Sequence, residues 1–405
     1  MPFLPIFLPK REMKAHSPLN PSSDVGPASS DRQRCDTSAI VTRPLTEDLI
    51  PAVRDFNSRL DGADAPREFR FPESHISTWL PKVNHRRLYE EYFALSEKDT
   101  IRGCYIFKHQ DFSFYDVIRS IGFWHWPISE GMVNNKYSWV ASRMLGTGLK
   151  VQPLLYGLNM TDQLTRLLTT LGWSARRVPF YFKVNRPGRF LREIRVLRKT
   201  KARQLIASIA ARSGIGGLAL NILQSTRETR GACKERAELV RGFSGWADDL
   251  WTACKTPYAM IAVRDSETLN ILYPASSNRF LCYKVTRGNT VLGWAVLLDT
   301  QMRDNKHFGN LRVGSIVDCL ASPEQALGVV RAATQVLEAR GADLIVSNQS
   351  HATWCAALQS AGFLQGPSNF RFAASRELSK LLDPLPTTMA QIHLTRGDGA
   401  GPVNL

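Results

Sequence analysis

The sequence predicts an α/β protein of the mixed α+β kind, built from two copies of one unit. Short apolar runs alternate with helix-periodic stretches along most of its 405 residues. Leu154–Trp173, LLYGLNMTDQLTRLLTTLGW, and Leu344–Phe363, LIVSNQSHATWCAALQSAGF, share one plan without a gap, 190 residues apart. Each runs from an apolar strand through a polar knot to a helix closing on Gly and an aromatic. Such self-similarity marks a duplicated unit. With 43 % hydrophobic and 22 % charged residues, a chain this long buries a core without disulfides or metal.

Residues 1–38 are rich in Pro, Ser, Asp and Arg (SPLNPSSDVGPASSDRQR) and read as disordered, because they bury too little to offset ordering entropy. The first unit, 39–185, opens with a strand at Ala39–Thr42. A helix follows whose Leu49, Val53, Phe56 and Leu60 share one face. Thr46 is its expected N-cap, with Glu47 and Asp48 favourable in the first turn. RGCYIFKHQDFSF and SIGFWHWPISE read as strands, the second ended by Pro127. NNKYSWVASRMLGTGLK reads as a helix, LLYGLNM as a strand, TDQLTRLLTTLGW as a helix and RVPFYFKVN as the closing strand.

A basic helical linker, 186–230, comes next. From Lys183 to Arg203 the one acid is Glu193, and Phe190, Ile194 and Leu197 form a helical stripe. The second unit, 231–383, replays the plan. ERAELVRGFSGWADDLWTAC reads as a helix, and FLCYKVTRGNTVLGWAVLLDTQM as a hairpin turning at Gly288-Asn289. RVGSIVDCLA is a strand. Pro323 then opens a helix that ends on Gly341. ADLIVSNQSH, ATWCAALQSAGF and NFRFAAS supply strand, helix and strand, and 384–405 form a C-terminal tail.

The charge is +16, from 52 Lys plus Arg against 36 Asp plus Glu. That field favours an anionic partner without choosing one. The seven cysteines are scattered, with no CxxC or Cys/His cluster, so no metal is expected and a cytoplasmic home fits. No stretch is long and apolar enough for a transmembrane segment, and the N-terminus lacks a signal peptide's basic start and cleavage site.

The repeated ending resembles the GNAT acyltransferase superfamily. Asn348, Ala352, Leu358, Gly362 and Phe363 follow that family's N-x-x-A-x-x-x-Y-x-x-x-G-F order; Leu158-Asn159, Leu168, Gly172 and Trp173 follow it in the first unit. Arg264–Pro274, RDSETLNILYP, resembles a stretch ahead of the family's central hairpin. The tail, IHLTRGDGAGPVNL, resembles the ends of GNAT-like proteins associated with bacterial polysaccharide production. The resemblance spans about residues 40 to 380 and implies two tandem GNAT-like domains, a plan shared with the Fem-type peptidyltransferases. In that fold two neighbouring parallel strands part, and the cofactor's pantetheine arm lies between them. Acetyl-CoA or another acyl-CoA is then the expected co-substrate. Leu320, Ala321, Asn348 and Ser350 are its expected contacts in the second unit, with Asn159 in the first. The family's Q/R-x-x-G-x-G/A pyrophosphate loop is missing. Ser129–Asn135 and Ala321–Ala326 stand in its place, and Leu168 and Leu358 replace the usual tyrosine acid.

N-acylation needs a base for the ammonium and donors for the oxyanion. Glu130 ends the first central strand, and Asp318 lies inside an apolar strand that would raise its pKa. Both are candidate bases; Asp318 reads equally as a structural acid paired with an arginine such as Arg312. His351 is a candidate proton shuttle or a helix cap. His125 alternates with Trp124 and Trp126 and so faces the other side of its sheet. The expected function is an acyl-CoA-dependent N-acyltransferase acting on a small-molecule or glycan-precursor amine, such as an amino sugar or cell-envelope precursor. A Fem-type transferase using aminoacyl-tRNA, and a degenerate GNAT-like binding or regulatory protein, are the alternatives. Arg192, Arg195 and Arg198 would seat an anionic partner, tRNA or a membrane surface.

Overall fold

The computed structural model describes residues 40–63, 65, 69–73, 80–82, 87–194, 218, 222–227 and 234–399. Arg195, Leu197, Arg198 and the segment read as disordered lie outside them.

Strand β1 (Ile40–Pro44) leads through a 3₁₀ turn into α1 (Ile50–Gly62). Leu49, Val53, Phe56 and Leu60 are all buried, as their spacing predicts. Thr46 starts the 3₁₀ turn without a side-chain cap, and Pro51 opens the helix instead. Strands β2 (Leu88–Glu97), β3 (Thr100–Phe114) and β4 (Val117–Ser129) form a meander, followed by α2 (Val140–Val151). Strand β4 does not stop at Pro127. Trp126 and Pro127 oppose Tyr105 in a β-bulge, where a missing N–H breaks no ladder bond. Strand β5 (Leu155–Leu158), α3 (Asp162–Thr170), β6 (Ser174–Arg177), β7 (Phe180–Val184) and α4 (Pro187–Glu193) end this half. Thr161 caps α3 by accepting from Leu164 N at 3.0 Å.

The stretch ERAELVRGFSGWADDLWTAC is not one helix: β8 (Arg236–Leu239) precedes α5 (Gly245–Cys254). Gly242 and Gly245 interrupt its period. Strand β9 (Met260–Ala262) and α6 (Ser266–Leu272) follow. The expected hairpin is β10 (Leu281–Arg287) and β11 (Thr290–Gln301). Then come β12 (Arg312–Ala321), α7 (Ala326–Ala339), β13 (Leu344–Asn348) and α8 (Ala352–Ser360). Gly341, at φ 82°, ends α7. Strands β14 (Leu364–Gly366) and β15 (Arg371–Ala374), helix α9 (Arg376–Leu381) and strand β16 (Ile392–His393) complete the chain.

Two mixed sheets result. The first runs β1-β2-β3-β4-β5-β15-β6, with β9 against β3 and β16 against β9; the second runs β14-β7-β13-β12-β11-β10-β8. The closing strands expected for each half are exchanged. Strand β7 pairs with β13 and β14, and β15 inserts between β5 and β6. Apolar burial explains the exchange: Tyr181 and Val184 of β7, with Phe190 and Ile194 of the linker stripe, pack in the second core. Phe372 of β15 packs in the first, beside Phe123 and Tyr156. Neither sheet is complete without the other half of the chain.

Candidate functional site

Besides the short parallel contact of β16 with β9, each sheet contains one parallel pair, β4–β5 in the first and β12–β13 in the second, and both of these part. Strands β4 and β5 pair only at Gly122–Leu155 and Phe123–Tyr156, although β4 runs on to Ser129 along β3. Strands β12 and β13 pair from Val313–Leu344 to Ile316–Ser347, and β12 runs on to Ala321 along β11. A bulge sits just beyond each parting, at Trp126-Pro127 and at Val317. Trp126 takes φ 52°, a left-handed strain held at the bulge.

The two slots differ in what fills them. The polar knot of the second, Ser347–His351, is engaged by the protein at all but one side-chain group: Gln349 Nε2 donates to Cys319 Sγ, and its Oε1 is buried without a partner. Ser347 Oγ donates to Ile316 O at 3.2 Å, replacing the ladder bond where pairing ends. Asn348 Nδ2 donates to Pro179 O, and its Oδ1 accepts from Arg396 Nε at 2.9 Å. Ser350 Oγ donates to Ile392 O and accepts from Leu394 N. His351 Nδ1 accepts from Thr353 N, as a helix cap, and burial pushes its pKa down to about 4. Leu320 and Ala321 are buried, and Ala321 O accepts from Tyr258 OH. The C-terminal segment Ile392–Asp398 thus takes the polar groups that the sequence assigned to a cofactor.

Asp318 lies at the centre of that plug. Its Oδ2 accepts from Tyr273 OH at 2.6 Å and pairs with Arg264 Nε at 2.8 Å. Its Oδ1 accepts from Thr395 Oγ1 and Cys319 N, both at 3.0 Å. Arg264 also pairs with Asp398, and all three charged groups are fully buried. The two carboxylates raise the Arg264 pKa against the desolvation of its buried charge, and the guanidinium stays charged. Arg312, the partner expected from sequence, pairs with Asp299 instead. A Cβ on Gly397 would stand 2.8 Å from Asp318 Oδ2, so only glycine lets the tail pass there. The tail then reaches the first lobe, where Lys108 Nζ donates to Asp398 O and Gly399 O, and Tyr156 OH donates to Asp398 O. Burial pushes the Lys108 ammonium down to about 8, against the pull of Asp398. Sequence reasoning placed none of Arg264, Tyr273, Thr395 or Asp398 in a site. They lie in RDSETLNILYP and IHLTRGDGAGPVNL, the two stretches singled out by resemblance.

The first slot shows the opposite pattern. Trp124 Nε1, His125 Nε2 and Trp126 Nε1, on consecutive residues past the parting, are shielded from solvent without a hydrogen-bond partner. Buried polar atoms rarely stay unpaired, so three on consecutive residues are a candidate place for a ligand or water; in the second lobe Gln349 Oε1 and both His393 ring nitrogens are unpaired too, beside the tail that fills that slot. Register sets Tyr92, Ile106 and His125 in one row of a single face, with Glu90, Lys108, Phe123 and Tyr156 in the next. The His125 ring stacks on Phe123 at 4.6 Å, and burial pushes its pKa down to about 4, leaving a neutral imidazole. Asn159 ends β5 at φ 55°, its N–H donating to Arg371 O.

After β4, Ser129 Oγ accepts from Gly131 N and Asn134 Oδ1 from Lys136 N, in two 3₁₀ turns. Helix α2 then starts at Trp139 without a side-chain cap. The matching place in the second lobe holds Pro323 and Glu324, which supply one amide fewer and a like charge for any phosphate. Glu130 is buried and pairs with Arg59 at 3.1 Å and Arg102 at 3.0 Å; Arg102 also pairs with Glu97. Among the described residues no His, Cys, Asp and Glu cluster is placed to hold a metal. No helix there is long and apolar enough to cross a membrane.

No family model and no curated protein matches the sequence. Among solved structures, Saccharomyces cerevisiae N-myristoyltransferase with bound myristoyl-CoA is similar at 9 % identity and TM-score 0.49, over 89 % of this chain and 85 % of that one. A GCN5-related N-acetyltransferase from Anabaena variabilis is similar at 8 % identity and TM-score 0.47, over 85 % and 74 %. Likenesses of this size carry no argument about chemistry, which rests on the geometry above.

Proposed function

We propose that the chain is an acyl-CoA-dependent N-acyltransferase whose donor arm lodges between β4 and β5. The carrying observation is the contrast between the slots: one is plugged by the chain's own tail, and the other presents consecutive unpartnered nitrogens. The unpaired edge of β4 past Phe123 offers backbone groups to the amides of a pantetheine arm. The uncapped start of α2 and Lys136 suit a pyrophosphate. His125 is the base of this reading. The nitrogen of the neutral amine bonds to the thioester carbonyl carbon, its proton passes to His125 Nε2, the C–S bond breaks, and the thiolate takes that proton from His125 and leaves as the thiol. Asp318 and His351, assigned to catalysis from sequence, serve in this reading to seal the second slot, and Glu130 to hold the turn before α2. The acceptor is an amine; an amino sugar or envelope precursor is the form that the tail's resemblance implies.

The test combines acetyl-CoA binding with thiol release over a panel of primary amines. His125→Gln is expected to keep acetyl-CoA binding and lose turnover by about a hundredfold or more. Absence of acyl-CoA binding to the folded chain refutes the proposal. Full turnover in His125→Gln removes the base.

A further inference from the structure

The tip of the β3–β4 hairpin has no role in the reaction above. Its two-residue turn is Tyr115-Asp116, with φ 46° and 70°. Such turns ordinarily carry Asn-Gly or Asp-Gly, and a bulky tyrosine in the left-handed region is strained. The strain is held by two ties to the second half. Tyr115 N donates to Ala259 O at 3.2 Å, and Asp116 pairs with Lys255 at 2.6 Å. On this fixed tip Tyr115, Val117 and Ile118 are 55 %, 54 % and 43 % exposed. Val151, 53 % exposed, lies beside the hairpin stem, because the neighbouring Gln152 Nε2 donates to Ser120 O.

The unpaired charges named on this hairpin and the neighbouring end of α2 are basic. Arg119 and Lys150 are exposed, and the acid of the turn, Asp116, is neutralised by Lys255. Apolar side chains at a rigid tip with basic residues behind them match the two terms of peripheral binding to an anionic bilayer, buried apolar area and attraction to acidic headgroups. We propose that this hairpin tip docks the protein on an anionic lipid surface. A second copy of the chain is disfavoured by its own +16 charge. Strand addition is disfavoured because Gln152 takes Ser120 O and Gly122 pairs with β5. The tip lies at the opposite end of β4 from the slot, so docking leaves the slot clear. This site is independent of the acyltransfer reading.

The test is flotation of the full chain with phosphatidylcholine vesicles, with and without about one quarter phosphatidylglycerol. Binding is expected only with phosphatidylglycerol, falling at high salt. The variant Tyr115→Ser/Val117→Ser/Ile118→Ser and the variant Arg119→Glu/Lys150→Glu are each expected to weaken it by about tenfold or more. All five side chains are exposed, so unchanged thermal midpoints confirm that the variants fold. No flotation of the wild type, or binding that survives both variants, overturns the proposal. So does a lipid-independent, tip-dependent dimer in gel filtration.

Discussion

Replacing Asp318 by Asn separates a structural acid from a catalytic one. The carboxylate takes Arg264 Nε and Tyr273 OH on one oxygen, and Thr395 Oγ1 and Cys319 N on the other. An amide has one acceptor oxygen. Whichever way it turns, its NH₂ faces one hydroxyl, which can rotate to accept, and one N–H, of Cys319 or Arg264, which cannot, and the buried guanidinium keeps only the Asp398 carboxylate as counter-charge. Each buried donor left unmade costs about 1–3 kcal/mol, and removing one partner of a buried ion pair costs about 3–5 kcal/mol. The expected loss is therefore about 3–5 kcal/mol, a large share of the ~5–15 kcal/mol by which domains are stable. Urea unfolding at neutral pH reads it directly. Acetyl-CoA affinity of the folded fraction is expected to be unchanged, since Asp318 itself bonds to no residue of the first slot. The reasoning fails if Asp318→Asn unfolds within about 0.5 kcal/mol of the wild type while turnover is abolished, because Asp318 is then the base.

Further outcomes follow from particular contacts. Gly131→Ala places a Cβ 2.7 Å from Ser138 Cα, so the turn ahead of α2 must shift; acetyl-CoA affinity, measured by calorimetry, is expected to fall by about tenfold at a cost near 1 kcal/mol in stability. Glu130→Gln leaves Arg59 and Arg102 without their shared carboxylate and is expected to cost about 2 kcal/mol in urea unfolding. His351 and His393 have pKa values pushed down by burial to about 4 and about 3. The unfolded chain takes up protons below about pH 6.5 that the folded chain refuses, so stability present above that pH is lost on acidification. The limit is about 1.4 kcal/mol per pH unit for each histidine. Neither His393 ring nitrogen has a hydrogen-bond partner. His393→Phe is therefore expected to be neutral or stabilising at pH 7 and to flatten the urea-midpoint profile between pH 4 and 6.5; a lower midpoint at pH 7 with an unchanged slope contradicts this.

The sequence carried the local elements wherever a period or a punctuating residue was strong. The Leu49–Leu60 stripe, the Gly288-Asn289 hairpin and the Pro323–Gly341 helix show this directly. It hid β2, whose LYEEYFALSE has an apolar and acidic mixture without clean alternation, and it merged β8 into a helix. The exchange of β7 and β15 was not legible. FYFKV and RFAA are good strands in either sheet, and only long-range packing decides which one they complete. The parting of the parallel pairs was reached through resemblance to a family. What fills each slot was not, because the plug depends on one far-off segment, Ile392–Asp398, meeting Asn348, Ser350 and Asp318. Asp318 was noticed as a carboxylate in an apolar run. Its partners lie in segments remote in sequence, so burial was legible and the ion network was not. In the first slot, Trp124-His125-Trp126 was read as alternating strand residues. The strand expected to end at Pro127 continues through a bulge there to Ser129, and the unpaired state of the three ring nitrogens depends on packing that no local pattern shows.

Amide hydrogen exchange with and without acetyl-CoA tests the central assignment most directly. Protection is predicted on Trp124–Ser129 and Tyr156–Asn159, with Val317–Ala321 and Asn348–His351 unchanged because the tail already covers them. Protection confined to the second pair, or release of Ile392–Asp398 as the ligand enters, would place the thioester arm in the other lobe.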